Sequence, residues 1–219
     1  VQAVELPGHD VSAETEEFSP MSEVVEKVVA EVTGLGSGPI VLWGHSAGAA
    51  FAIETAKQLT RSGVHVQRVF LGAQLLGDAG ERRRAIGEMA DRSDAEIAAA
   101  LSADTGYGDP GALDAQRAEH VGAAFRHDFL SASRYLAEVL DDPPTEKLET
   151  PLTVVVAADD PVTEGFEERF AAWQLVAEQV DVSVLTDGGH YFPRTRPTES
   201  AEVVLRDTGL VAPVPAGDG

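Results

Sequence analysis

Five residues, Gly44-His45-Ser46-Ala47-Gly48, constrain this sequence more than any other stretch, because of what flanks them. Residues 40–43, Ile-Val-Leu-Trp, form a compact apolar run, short and β-branched enough to read as a strand buried on both faces. Residues 49–59 read as a helix with Phe51, Ile53, Ala56 and Leu59 available for packing, closing at Ser62-Gly63. A Gly-X-Ser-X-Gly pattern between a buried strand and a helix demands a strained turn that lifts the serine hydroxyl above the strand's carboxyl end. Gly44 and Gly48 are read as small because strand and helix approach closely there. A second apolar run, 66–71, follows the helix, and a strand-helix-strand succession of this length implies a right-handed crossover between parallel neighbours. The expected class is therefore α/β, a mostly parallel sheet flanked by helices.

The remaining segments fit that class. Residues 1–6 read as a short strand that stops at the turn Pro7-Gly8. Val24, Val25, Val28, Val29 and Val32 mark a helix that Ser22 can cap and that Gly34, Gly36, Gly38 and Pro39 end. Residues 78–145 are charged and alanine-rich with helical spacing and no strand-like run, as an inserted helical lid would be. Within them Ser93-Asp94-Ala95-Glu96 fits a capping box, the stretch from Gly106 to Gly111 supplies a break, and Pro143-Pro144 ends the last helix. That helix bears Phe125, Phe129, Leu130, Tyr135, Leu136 and Leu140, read as packing of lid on core, with acyl-chain binding as the alternative. Residues 152–157 make a third strand running into Asp159-Asp160-Pro161, and a helix is expected over 164–178. Residues 182–185 make a fourth strand, Asp187-Gly188-Gly189-His190 follows it, 200–208 form a closing helix, and the tail from Val211 is expected to fray. At 219 residues with 43% hydrophobic content the whole of 1–219 can share one core, and no internal repeat divides it.

Serine is a poor nucleophile at neutral pH without a histidine base and a carboxylate to orient that base. In strand-turn-helix hydrolases the order along the chain is serine, acid, histidine, each of the latter two in a loop after a later strand. Asp160 follows the third strand and His190 the fourth, so both fall at the carboxyl edge of the sheet with Ser46. Asp160 is chosen over its neighbour Asp159 because it directly precedes Pro161-Val162, and Asn substitutions at each position would decide. Ala47, at the start of the helix after Ser46, is the expected oxyanion donor through its backbone amide. His9, His65, His120 and His127 read as surface or lid residues, and His45 as packing or hydrogen-bonding inside the turn.

Composition excludes several alternatives. With no cysteine there is neither a disulfide framework nor a thiolate nucleophile, and six scattered histidines make no structural metal site. No metal and no resident cofactor are expected. Thirty-seven acidic against 16 basic side chains give a formal charge of -21, which repels nucleic acid and anionic lipid and otherwise serves solubility. No run approaches the roughly 20 apolar residues that span a bilayer, and residues 1–10 lack the basic start of a secretory signal. A soluble protein of the reducing cytoplasm is expected.

Leu6-Pro7-Gly8, Trp43-Gly44-His45-Ser46-Ala47-Gly48, Asp159-Asp160-Pro161-Val162, Trp173 and Gly188-Gly189-His190-Tyr191-Phe192 together resemble the α/β-hydrolase thioesterases of polyketide and nonribosomal peptide biosynthesis, of the type II or peptide-synthetase kind. The resemblance runs over nearly the whole chain. It implies that Ser46 takes acyl or peptidyl groups from the phosphopantetheine thioester of a carrier protein, that water releases them, that His190 shuttles protons and that Asp160 holds the imidazole. In the related macrocycle-forming enzymes of polyketide synthesis the acid follows the strand after the nucleophile helix, but residues 69–74 contain no Asp or Glu. Such thioesterases begin with further strands and a Phe-Pro loop that donates a second oxyanion amide; this sequence starts downstream of them, which reads as a partial record. Carrier proteins of this kind are acidic, so docking calls for a local basic patch, with Arg82, Arg83 and Arg84 or Arg194 and Arg196 as candidates against plain solvated surface. A general serine esterase with the same triad, and a non-catalytic interaction module lacking the oxyanion loop, are the competing readings.

Overall fold

The computed structural model describes residues 1–10, 16–35, 38–103 and 113–209. Gly36, the expected break from Gly106 to Gly111 and the tail from Val211 lie outside them. Four parallel strands, β1 (Ile40–His45), β2 (Val66–Gly72), β3 (Leu152–Ala157) and β4 (Val180–Leu185), lie in the order β1-β2-β3-β4. The strand period of two sorts their side chains between two cores. Val69, Leu71, Val154 and Val156 face one side, where Ile53 and Leu59 of α2 (Gly48–Arg61) and Leu136 complete the larger cluster. Phe70, Val155, Ala157 and Leu185 face the other, against Phe192 and Val203. α1 (Met21–Gly34) packs on α2, outside the larger cluster.

Three helices, α3 (Ala79–Ala90), α4 (Asp94–Ala103) and α5 (Ala115–Asp141), fill the space between β2 and β3 in the chain. Met89, Ile97 and Leu101 make a separate small core there with Val121, Phe125, Phe129 and Leu130 packed against it. The capping box at the start of α4 forms: Ser93 N–H donates to Glu96 Oε2 at 2.8 Å and Glu96 N–H to Ser93 Oγ at 3.3 Å. α5 is tied to α2 by a polar triad in which Lys57 Nζ donates to Tyr135 Oη at 2.8 Å and the tyrosine hydroxyl to Glu54 Oε2 at 3.1 Å.

Several local expectations are corrected. Residues 1–6 form no strand and are largely exposed; their backbone pairs with neither edge of the sheet. What holds this segment is the Pro7-Gly8 turn and its bonds to α5, where His120 and His127 lie within the expected lid segment and His120 Nε2 is 2.7 Å from Gly8 O. His9 makes bonds to two acceptors, Pro7 O at 3.0 Å and Asp128 Oδ2 of α5 at 2.9 Å, so both ring nitrogens donate and the Asp128 carboxylate raises its pKa. Phe18 stacks on His120 and His127 of the same helix. Ser22 does not cap α1; Pro20 occupies that position, its carbonyl accepting from Glu23 and Val24. β1 is only partly buried along most of its length because it forms one edge of the described sheet. The helix expected over 164–178 is broken into a short α6 (Phe166–Arg169) and a 3-10 segment (Phe170–Leu175), since Trp173 is drawn into the core with Nε1 donating to Gln74 O at 3.1 Å. The closing helix, α8 (Pro197–Thr208), covers the second core, preceded by a single turn, α7 (Phe192–Thr195).

Candidate active site

β1 runs straight into Ser46, which adopts φ 51°, a left-handed backbone that a side-chain-bearing residue takes only under constraint. The constraint is visible: Ser46 N–H donates to Gly72 O at 2.7 Å, across to β2, and Ser46 O accepts from Ala49 N at 3.0 Å in the first turn of α2. Gly44 is obligatory, because a Cβ there would stand 2.2 Å from Gly48 O. Gly48 itself faces open space, so the expected crowding at that residue does not occur; the second tight spot is Gly72, whose Cβ would meet His45 Nδ1 at 2.6 Å.

The loops after β3 and β4 bring Asp160 and His190 to the same edge. His190 Nδ1 lies 3.0 Å from Asp160 Oδ2 and Nε2 lies 3.1 Å from Ser46 Oγ. A carboxylate can only accept, so Nδ1 carries the proton and the bare Nε2 accepts from the Ser46 hydroxyl. Asp160 is 3% exposed. Burial pushes its carboxyl pKa up, but bonds from the His190 ring, the Val162 amide at 2.9 Å and the Thr163 hydroxyl at 3.3 Å outweigh this and hold it below the usual carboxylate range. Asp159, the alternative acid, does not touch the imidazole; it accepts from the amides of Gly188 and Gly189.

His45 supports the ring from behind. Its Nε2–H donates to the His190 carbonyl at 2.8 Å, which leaves Nδ1 bare, buried and without a partner. Burial, helped by the nearby His190, lowers the His45 pKa to about 4. Because that folded value lies below the unfolded 6.5, the unfolded chain binds the extra proton between the two, and the stabilisation present above about pH 6.5 is lost as pH falls toward 4. We expect His45→Gln, which keeps a donor and does not titrate, to flatten the fall in unfolding free energy between pH 7 and 4.5 by up to about 3 kcal/mol. Denaturant titrations of both proteins at the two pH values measure it, and parallel slopes would remove His45 as the titrating group.

Ser46, Ala47 and His190 open onto a cavity of about 690 Å³. Ile97, Leu101, Phe125 and Phe129 give it an apolar wall from α4 and α5, so part of the aromatic stripe does reach the cavity. Asp78, Glu81, Arg82 and Arg169 add polar groups to its lining. Arg82 is therefore not a free surface cation; its guanidinium is turned inward, donating to Leu75 O at 2.6 Å and Leu76 O at 3.1 Å in the loop after β2, where Leu75 O also accepts from Gln74 Nε2 at 2.6 Å. Burial and then the neighbouring Arg169 lower its pKa to about 10. Arg83 pairs with Asp141 and Arg196 with Asp187, and Arg84 is exposed. Ala47 stands at the N-cap of α2, beside Ser46, where the positive end of the helix dipole is directed. Among the described residues no cluster of His, Asp or Glu could hold a metal ion, and no helix is long and apolar enough to cross a membrane.

Residues 3–203 match the Alpha/beta hydrolase family. No curated protein matches the sequence. Among solved structures, the chain is similar to the type II thioesterase BorB from the borrelidin biosynthetic cluster, at 20% identity and a TM-score of 0.68 over 93% of this chain and 79% of that one. It is similar to YbtT, a type II thioesterase from the Yersiniabactin NRPS/PKS biosynthetic pathway, at 22% identity and a TM-score of 0.65 over 93% and 80%. The RedJ thioesterase from the prodiginine biosynthetic pathway in Streptomyces coelicolor aligns at 24% identity and a TM-score of 0.65 over 94% and 78%. At these identities the likeness is one of fold.

Proposed function

The chain belongs to the alpha/beta hydrolase family, and from that premise we propose that it is a serine thioesterase acting on acyl or peptidyl groups held as phosphopantetheine thioesters on a carrier protein of polyketide or nonribosomal peptide synthesis. One observation carries the reading: an unbroken relay, Ser46 Oγ to His190 Nε2 at 3.1 Å and His190 Nδ1 to Asp160 at 3.0 Å, lies in the wall of a cavity large enough for an acyl group. Ser46 Oγ attacks the thioester carbonyl carbon as His190 takes its proton. The Ala47 amide, at the positive end of α2, receives the developing oxyanion. The C–S bond breaks, and His190 hands the proton to the departing sulfur. Water enters and attacks the acyl carbonyl as His190 removes its proton; the C–Oγ bond then breaks, His190 hands that proton to Ser46 Oγ, and a carboxylic acid is released. Helices α3 to α5 act as a lid, whose Phe125 and Phe129 take the acyl chain while the polar groups of the lining face the thioester arm.

The fold alone does not separate thioesters from oxygen esters, so the test compares substrates. We expect kcat/KM on an acyl-loaded carrier protein to exceed that on the matching p-nitrophenyl ester by at least about 10-fold, roughly 1.4 kcal/mol of differential transition-state binding. Equal or reversed values would make the protein a general esterase.

A further inference from the structure

Asp159 lies next to the proposed acid and is not used by the relay, yet although exposed it accepts a hydrogen bond on each carboxylate oxygen. Oδ1 accepts from Gly189 N–H at 2.8 Å and Oδ2 from Gly188 N–H at 3.2 Å, one oxygen for each of two consecutive amides that stand 29 and 30 residues further along the chain. Consecutive N–H groups converging on an anion form a concavity suited to negative charge. Here the arrangement depends on two glycines with φ 128° and 64°, the left-handed half of the map that favours glycine. A Cβ on Gly188 would also strike Phe192 Cβ at 2.9 Å.

We propose that Asp159 is a positioning residue for His190: it fixes the main chain of the loop after β4 so that the imidazole reaches Ser46 and Asp160 together. This rests on the relay reading of the previous section. The turn after β3 is itself anchored, with Ala158 N–H donating to Leu185 O at 2.9 Å and Asp160 N–H to Ala157 O at 3.1 Å. Two successive carboxylates on one rigid turn thus divide the work, Asp159 holding the backbone before His190 and Asp160 its ring. From the other side His45 holds the His190 carbonyl, and Thr195 Oγ1 donates to Gly188 O at 2.7 Å. Without Asp159 the two glycines regain the wide conformational range that glycine allows, and the imidazole drifts out of line with the serine.

The test uses hydrolysis of a hexanoyl-N-acetylcysteamine thioester and the rate of inactivation by a fluorophosphonate, for the wild type, Asp159→Ala, Asp159→Asn and Ser46→Ala. In Asp159→Ala we expect kcat and the inactivation rate to fall about 10-fold with KM changed less than about 2-fold, since misplacement of a reacting group is felt in the transition state. Asp159→Asn, whose remaining oxygen still serves Gly189, should fall about 3-fold. The low-field proton resonance of the His190 Nδ1–H bond should broaden in Asp159→Ala while the thermal midpoint moves by less than about 2 °C, a pattern that loss of stability alone does not produce. Wild-type kcat and an unchanged resonance in Asp159→Ala, with Ser46→Ala inactive, would overturn the positioning role and leave the relay standing. A Ser46→Ala protein as active and as readily labelled as the wild type would overturn both.

Discussion

Ser46→Ala should abolish turnover, lowering kcat by on the order of 10⁴- to 10⁶-fold while the protein remains folded. The size follows from the division of labour in the site. Only Oγ can form the covalent bond to the acyl group; the His190-Asp160 pair retains its geometry in the variant but has only water to activate. What survives is the contribution of binding and of the Ala47 amide, which in enzymes of this chemistry leaves a residual acceleration of about 10³- to 10⁴-fold over water. Substrate binding should scarcely change, because the cavity walls from α4 and α5 are untouched. The variant should also relieve backbone strain at φ 51° little or not at all, since alanine is no better suited to that region than serine. Single-turnover kinetics on an acyl-loaded carrier protein give the number directly. A loss below about 10-fold would mean that the serine is not the nucleophile.

Asp160→Asn should cost about 10⁴-fold in kcat for a different reason. The carboxylate is buried and accepts from His190, the Val162 amide and the Thr163 hydroxyl, so it can only present an acceptor to the imidazole. An asparagine amide that turns its NH₂ toward Nδ1 forces the proton to Nε2, and Nε2–H can no longer accept the proton of Ser46. KM should hold, because no substrate contact is lost. The two proteins should also differ in how acid affects them. A carboxyl whose folded pKa is depressed stabilises the fold above its unfolded pKa, and that stabilisation disappears as pH falls through the folded value. Their unfolding free energies should therefore begin to converge as pH falls below about 4, the unfolded value, and meet only below the depressed folded value, where the protonated acid resembles the amide. If Asp159→Asn rather than Asp160→Asn gave the larger loss of kcat, the assignment of the acid would be reversed.

The parts of the fold legible in the sequence are those fixed by local pattern. β3 matches the expected 152–157 at both ends, since six consecutive residues without a turn-former, four of them β-branched and all buried, admit little else. The four-residue box Ser93 to Glu96 is likewise a purely local device. What pattern could not supply depends on partners far along the chain. Nothing in residues 164–178 says that Trp173 will be pulled in by the Gln74 carbonyl and so break the helix. Arg82, followed by two more arginines, reads as surface; only the loop after β2, whose Leu75 and Leu76 carbonyls accept from it, turns it inward. Residues 1–6 are apolar enough to read as a strand, but a strand is defined by its neighbour, and apolar content does not provide one.

The candidate site divides the same way. Ser46 is announced by its own flanks, and chain order points to one acid and one histidine after later strands. The supporting contacts, His45 to the His190 carbonyl and Asp159 to the two glycine amides, bridge 145 and about 30 residues and have no signature in either segment. Asp159 was nevertheless findable in part: a second carboxylate directly beside the acid, and a glycine pair directly before the histidine, are the two halves of that contact.

Trapping the covalent intermediate reaches the centre of this account most directly. Protein mixed with an acyl-pantetheine thioester, quenched within the first turnover and digested, should yield a single acylated peptide, the one containing Ser46, and none from Ser46→Ala. Turnover with no acylated peptide at any time, or an adduct on another residue, would contradict it.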